Sequence, residues 1–345
     1  MKIAGVVSKG AISSGDSFKI TDSIPNVARM TDSNIASGNA NLISELEKRE
    51  ILIREPLTSF TYHRDIPIKA GGGWVDVISA ISSDFAVSGG SGESVAVSSG
   101  SNSPKVIQAN FDKDTFKAHV FQMTMRILYI DMQRSKVTGR SLEALLKEGI
   151  RLTYDKHLDQ NVYIGMPELG TPGILNNPDI ATAGASVGSK GTTDFLSKTP
   201  DEILSDINNI ISDTWAQAEY DLSALPNHII MPYAQYNYLA TTRLSELADK
   251  TILKFILENN ISSQNGSELV IGATSYCKGA GVGGSDRMAC YVHKDRFIAM
   301  EELVPLYRSM TQANINTHSY DSIYTANISQ VEFFYNQTVR YLDGI

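Results

Sequence analysis

Apolar residues are sparse and unperiodic over the first 37 positions, where they stand singly among Ser, Asp, Asn and Gly. Such a stretch cannot bury enough surface to fold alone, so its order must come from whatever it lies upon. Extended, it would reach on the order of 100 Å. A short helix is expected from Asn39 into Leu42–Glu50, followed by β-type runs at Ile51–Leu57, Phe60–Ile68 and, after the turn Ala70–Gly73, Trp74–Ile81. Residues 82–103 are more than half Ser and Gly, although Phe85–Val87 and Ser94–Val97 keep strand character. Alternation resumes from Lys105 to Ile130, with Phe121, Met123, Met125 and Ile127 on one side. Two arms of about 20 residues at about 3.3 Å per residue make a hairpin about 60 Å long, which a domain of this size cannot contain. It is expected to project.

Helical periodicity is strongest from Ser141, a suitable N-cap, to Ile164. Leu142, Leu145, Leu146, Leu152, Leu158 and Val162 make its apolar stripe, and the rod is about 35 Å long. Gly165 ends it. A second helix opens on Thr199 as cap, Pro200 at the first position and Glu202 closing a capping box; Ile203, Leu204, Ile207, Ile210, Ile211 and Trp215 line one face. Beyond it, strands are expected at His228–Pro232, Glu268–Ala273, Arg287–His293 and Arg296–Met300, and helices from Ala234 and Asp249. The end, Ile328–Ile345, is strand-like and aromatic. The class is α+β, and no period of 20 to 50 residues indicates a solenoid or propeller.

The composition, 345 residues with 42% hydrophobic and 20% charged, is that of a globular chain able to bury a sizeable core. No apolar run approaches about 18 residues, so no transmembrane helix and no membrane partner are expected. The start offers too short an apolar patch for a secretory signal, which implies cytosolic synthesis. A net charge of -8 argues against a protein that grips nucleic-acid phosphates, though not against a surface that faces nucleic acid. Cys277 and Cys290 cannot make a disulfide framework or supply a four-ligand zinc site alone and are expected as reduced, half-buried strand residues.

Several motifs match catalytic patterns by letter alone. Gly184–Gly188 fits G-x-S-x-G with Ser186 as nucleophile, but that chemistry needs a strand before and a helix immediately after, and neither flank suits. In the adjacent phosphate-loop mimic, Lys190 follows Ser189 rather than Gly, and Gly191 stands where Ser or Thr should hold magnesium. Gly279–Gly284 fits G-x-G-x-x-G with Glu301 downstream, yet a strand follows where a helix N-terminus is required; the glycines read as a hairpin tip. His63, His119, His157, His228, His293 and His318 show no metal spacing, Asp155, His157 and Asp159 face no shared point, and Glu301–Glu302 reads as a surface-like turn. No catalytic, cofactor-binding or metal residue is assigned, no cofactor is expected, and the chain is not read as an enzyme.

A long arm, a projecting hairpin, one long helix and a separate mixed region suit a subunit whose extensions wrap its neighbours. In this order of parts the chain resembles the tailed-bacteriophage major capsid protein of the Hong Kong 97 type. The local likeness lies in GRSLEALLKEGIRLTYDKHLDQNVYIGMPELGTPGILNNPDI (Gly139–Ile180), where a helix ends in Gly before a G-x-P-G-[IL]-L-N-x-P turn, and in MPYAQYNYLATTRLSE (Met231–Glu246). The long polar tip at Ser82–Ser103 departs from that pattern. The resemblance implies an N-terminal arm (1–45), an extended loop (65–113), a peripheral domain (46–64, 114–168 and 319–345) with spine helix 141–164, and a mainly axial domain (169–318).

It also implies self-assembly as hexamers and pentamers into an icosahedral head around double-stranded phage DNA, faced without specific binding, with portal, scaffolding and cement proteins as further partners. The protein would be made and assembled in the host cytoplasm and end in the virion. Because the chain opens on Met1, scaffolding is expected from a separate protein. Lys69, Lys105 and Lys113 lie in or near the loop, but none is marked out for an isopeptide crosslink, so noncovalent assembly is expected. The readings set against this one are an encapsulin-like compartment shell and a nucleotide-dependent α/β enzyme using Gly279–Gly284. In the capsid reading, Ile174 and Leu175 pin the helix exit into the core, Pro172 and Pro178 stiffen it, and Gly170 and Gly173 permit its angles.

Overall fold

A computed structural model describes residues 59–88, 106–138, 141–244 and 250–345. The expected arm, the helix from Asn39, the strand Ile51–Leu57, Lys105 and most of the polar tip lie outside the described residues. The first described element is a helical turn, α1 (Tyr62–Asp65), where the sequence suggested a strand over Phe60–Ile68; only β1 (Ile68–Ala70) is extended. A distant side chain explains the difference. The Asp159 carboxylate receives the backbone N–H groups of Thr61 and Tyr62 at 3.0 and 3.2 Å, turning the chain into helix as an N-cap would.

The hairpin forms from β2 (Val77–Ser88) and β3 (Val106–Leu128), with Val77 opposite Lys117 and Ser88 opposite Val106. Its two-stranded ladder is about 40 Å long. Next come α2 (Tyr129–Thr138) and the long helix α3 (Leu142–Tyr163), started by the Ser141 hydroxyl accepting the Ala144 N–H at 3.2 Å. The buried stripe of α3 runs through Ile150, Tyr154, Leu158 and Val162, whereas Leu145 is exposed. The seam therefore sits toward the C-terminal half, where both polar and aromatic positions complete it.

The helix exit carries β4 (Gly165–Met166) and β5 (Thr171–Pro172), followed by β6 (Thr182–Gly184) and helix α4 (Pro200–Gln217) with its capping box complete. After β7 (His228–Met231), α5 (Tyr233–Thr241), α6 (Ile252–Glu258), α7 (Ile261–Gln264) and β8 (Val270–Ala273) come β9 (Arg287–Tyr291), β10 (Ile298–Asn314), β11 (Ser319–Ser329), β12 (Glu332–Phe333) and β13 (Val339–Asp343).

Two sheets result. One runs β1-β10-β11-β3-β2, with β12 beside β10; the other runs β6-β13-β9-β7-β8. Helix α3 buries its stripe in a core shared with Ile298, Met300, Ile328 and Tyr341. Helix α4 buries Ile203, Ile207, Ile210 and Ile211 against Ile229, Met231 and Met288 of the second sheet. At about 1.5–3 kcal/mol per fully buried aliphatic side chain, these four isoleucines are a major source of the second core's cohesion.

Four expectations need correction. Because β7 lies between β8 and β9, Gly279–Gly284 is not a hairpin tip but a connection between non-adjacent strands. Cys277 sits fully buried in a 3-10 turn (Ser275–Cys277), while Cys290 is a buried residue of β9. Glu301 and Glu302 belong to β10, where the Tyr154 hydroxyl donates to Glu302 at 2.7 Å. Asp155 and Asp159, one helical turn apart, do share a target, since the Tyr62 hydroxyl donates to Asp155 while Asp159 holds the backbone at Thr61 and Tyr62.

Candidate assembly interface

The exit of α3 is built by satisfying its last carbonyl groups, which a helix leaves without internal partners. Ile174 N–H donates to Val162 at 2.8 Å, Leu175 N–H to Tyr163 at 3.1 Å, and the Asn176 side-chain amide to Ile164 at 2.6 Å. The Asn176 side-chain oxygen in turn accepts the Gly173 N–H at 2.7 Å. Ile174 and Leu175 are consequently drawn into the core and fully buried, as the sequence suggested. The approach leaves no room for side chains: a Cβ on Gly173 would lie 2.5 Å from the Tyr163 carbonyl carbon, and one on Gly165, at φ +73, would lie 2.2 Å from the Thr171 oxygen. From the second sheet, Arg287 donates to the Leu175 carbonyl at 2.6 Å while its guanidinium forks onto Asp343 at 2.7 and 2.8 Å.

A buried carboxylate fixes the approach to the hairpin. Asp65, at the end of α1, accepts Arg64 at 2.6 and 2.8 Å, meets His228 of β7 at 3.0 Å, and accepts the Tyr163 hydroxyl of α3. Burial alone would raise its pKa, but the hydrogen bonds from His228, Arg64 and Tyr163 hold it below the usual carboxylate range. Arg64 is adjacent in sequence, but Tyr163 of α3 and His228 of β7 lie 98 and 163 residues away, which no local pattern could signal.

The hairpin is two-faced. Opposed residues of an antiparallel pair point to the same side, and the side alternates along each strand. Val77, Ile81 and Phe85 of β2 therefore share a face with Lys117, Lys113, Phe111, Ala109 and Ile107 of β3. The other face carries Ala80 and Ser82 with Asp114, Asp112, Asn110 and Gln108. On the first face Phe85 is 69% and Phe111 75% exposed, so an apolar strip with two ammonium groups stands in solvent. At the root of the hairpin, on the other face, Phe116 packs edge-on against Phe334, with ring centroids 5.6 Å apart.

The catalytic mimics are structurally engaged. The Ser186 hydroxyl and the buried Lys198 ammonium both meet the carboxylate of Asp206, and no helix follows Ser186 directly. Lys190 and Gly191 lie exposed in the same loop. Backbone N–H groups of Gly279 and Val282, which a phosphate would need, already donate to Asp286 and Asp343 at 3.0 and 2.9 Å. The histidines sort into ring contacts: His63 on Tyr62, His119 against His157, His228 against His293, and His318 on Tyr129. Lys69 lies over the Phe334 ring, and Lys113 belongs to the apolar face of the hairpin. Among the described residues, no group of three or more His, Cys, Asp or Glu could hold a metal ion, and no helix is long and apolar enough to cross a membrane.

A projecting hairpin with an uncovered apolar face, braced at its root by one long helix, defines a subunit built to associate with further subunits. The fold of the chain is similar to that of solved phage capsids. The capsid of Myoviridae phage XM1 superposes with a TM-score of 0.71 at 18% identity, covering 88% of this chain and 98% of that one. Microbacterium phage Oxtober96 gives 0.57 at 11%, covering 88% and 97%. Mycobacterium phage Bobi gives 0.53 at 14%, covering 92% and 99%. Likeness at such identities establishes the Hong Kong 97-type fold. A comparison with curated protein sequences finds no match. The sequence from residue 92 to 345 matches the major capsid protein family, and the chain belongs to that family. It is a capsid shell protein, a structural component of the virion of a tailed phage.

Proposed function

We propose that copies of the chain assemble as hexamers and pentamers into an icosahedral head around double-stranded phage DNA, each laying its hairpin across a neighbour. The observation that carries this reading is the two-faced hairpin: Ile81, Phe85, Ile107 and Phe111 stand exposed on one side of a ladder about 40 Å long. Covering each of them would contribute about 1.5–3 kcal/mol, and a closed shell repeats that gain at every subunit.

Within the subunit, the arm is 1–45, the extended loop 65–113, the peripheral domain 46–64, 114–168 and 319–345 with spine helix 141–164, and the axial domain mainly 169–318. The pairing of β10 with β11 and β1 supports moving the outer end of that last segment, 298–318, to the peripheral side. The net charge of -8 suits a lining that faces DNA without immobilising it. Assembly takes place in the host cytoplasm with portal, scaffolding and cement proteins, and the chain catalyses no reaction.

The test is the double substitution Phe85→Asp with Phe111→Asp. Both side chains are exposed, so the subunit should keep its circular-dichroism spectrum and thermal transition while shells give way to free subunits or capsomers. Shells in wild-type yield and with wild-type stability would overturn the docking role of this face.

A further inference from the structure

His119 on β3 and His157 on α3 meet edge to face, with ring centroids 5.7 Å apart, at the seam between the hairpin's root strand and the long helix. Phe121 lies against the His157 ring at 5.3 Å and against Tyr154 at 5.2 Å. Both ring nitrogens of His119 are buried without a hydrogen-bond partner among the described residues. That is unusual for a group that always offers a donor and, when neutral, an acceptor.

Among the described residues no carboxylate is hydrogen-bonded or ion-paired to either ring. On β11, Ile328 and Ala326 stand beside His119 and Phe121. The Lys117 ammonium, two positions before His119 on the same strand face, donates to the Leu169 carbonyl at 2.9 Å. On the far side of His157 a groove of about 350 Å³ is lined by Gln160, Asn161 and the loop bearing Glu168, its one carboxylate. Burial first, and the neighbouring His157 second, push His119 down to about 4, and burial lowers His157 as well. Near neutral pH both rings are therefore uncharged and pack as aromatics.

We propose that the His119–His157 pair is an acid-opened latch: uncharged, the rings let the hairpin root pack on the long helix, and protonated, they drive the strand from it. The latch is a property of the single subunit and does not depend on where the hairpin docks.

The direction of the pH effect follows from the lowered values. Above the ordinary histidine value of 6.5 neither the closed nor the open seam takes up a proton. Below it the open seam protonates while the closed one resists until about 4, so acid favours opening. For His119 the closed-to-open ratio falls by up to about tenfold per pH unit in that window, and the lowered His157 acts in the same direction.

The experiment is amide and imidazole C2 hydrogen exchange, read by mass spectrometry on the full-length protein across that pH window and corrected for intrinsic rates. Protection in peptides covering 117–123 and 154–161 is expected to fall by tenfold or more, while helix α4 stays protected. In the same data, His119 should titrate near 4. Replacing both rings, His119→Phe with His157→Phe, keeps the aromatic packing and should flatten the response. His119 titrating near 6.5, or equal acid opening in the wild type and the variant, would overturn the latch. The imidazole measurement on the wild type decides the matter even where the variant fails to fold.

Discussion

The Tyr341 hydroxyl donates to the Ile174 carbonyl oxygen at 2.6 Å and accepts the Asn177 N–H at 3.2 Å. One phenol of the last strand thus closes the loop that leaves α3, tying the second sheet to the exit of the long helix. Tyr341→Phe keeps the ring on which the Arg287 guanidinium stacks at 4.4 Å but leaves a buried carbonyl and a buried N–H unpaired. The variant should lose about 1–3 kcal/mol of stability by urea denaturation, with an unchanged denaturant slope. A midpoint equal to wild type would mean the loop is held by its other contacts alone.

Glycines at the same joint divide by the space around them. Gly173→Ala sets a methyl group against the backbone of Tyr163 and Gly165 at 2.5 and 2.6 Å, which flexible side chains cannot relieve. Insoluble or unassembled protein is expected. Gly149→Ala, in α3 with open space around its Cβ, should instead stabilise by about 0.5–1 kcal/mol through helix propensity. Thermal unfolding of the two variants side by side checks the contrast, and a tolerated alanine at 173 would contradict the close approach.

Asp65 is the point where α1, α3 and β7 meet. Asp65→Asn leaves Arg64 and His228 without their buried anion and should cost about 3 kcal/mol or more. Its folded pKa is held below the ordinary 3.8, so its stabilisation is present above that value and is lost as pH falls through the folded value. The gap between wild type and variant should therefore narrow only under strongly acidic conditions. A gap that closes near neutral pH would place the stabilising charge elsewhere.

Glu332 behaves in the opposite sense. It is fully buried beside β10, and both its carboxyl oxygens lack a hydrogen-bond partner among the described residues. Burial pushes its pKa up to about 7; the Ser329 hydroxyl and the Lys69 ammonium offset part of this, and Glu301 adds to it. The folded chain then keeps a proton that the unfolded chain releases above about 4.5, so stability should decline as pH rises from there to about 7. Glu332→Gln removes that decline and should be the more stable protein by roughly 2–3 kcal/mol in mildly alkaline buffer. Parallel pH–stability curves for the two proteins would show that the carboxyl group is not held neutral.

What was legible in the sequence shares one physical trait: the signal is local. The Ser141 cap, the Thr199–Pro200–Glu202 capping box and the isoleucine stripe of α4 each act within a few turns, and each appears where the pattern placed it. The Ile174–Leu175 pair was legible too, because two apolar residues inside a turn-rich segment need somewhere to bury.

The outer half of β10 was not legible. Residues from Ser309 to Ala313 are exposed, so no hydrophobic alternation marks them, and the strand is specified by its pairing with β11. Nor could spacing reveal that His119 meets His157, or that Asp159 turns Thr61–Tyr62 into helix; both depend on tertiary contacts that override local preference.

The account's central claim is that this chain closes into a shell through its own surfaces. Negative-stain microscopy of the purified full-length protein, with sedimentation velocity on the same sample, tests it most directly. The expected result is closed particles of megadalton mass containing only this chain. A monodisperse monomer or small oligomer of folded subunit, both alone and with its scaffolding protein supplied, would contradict it.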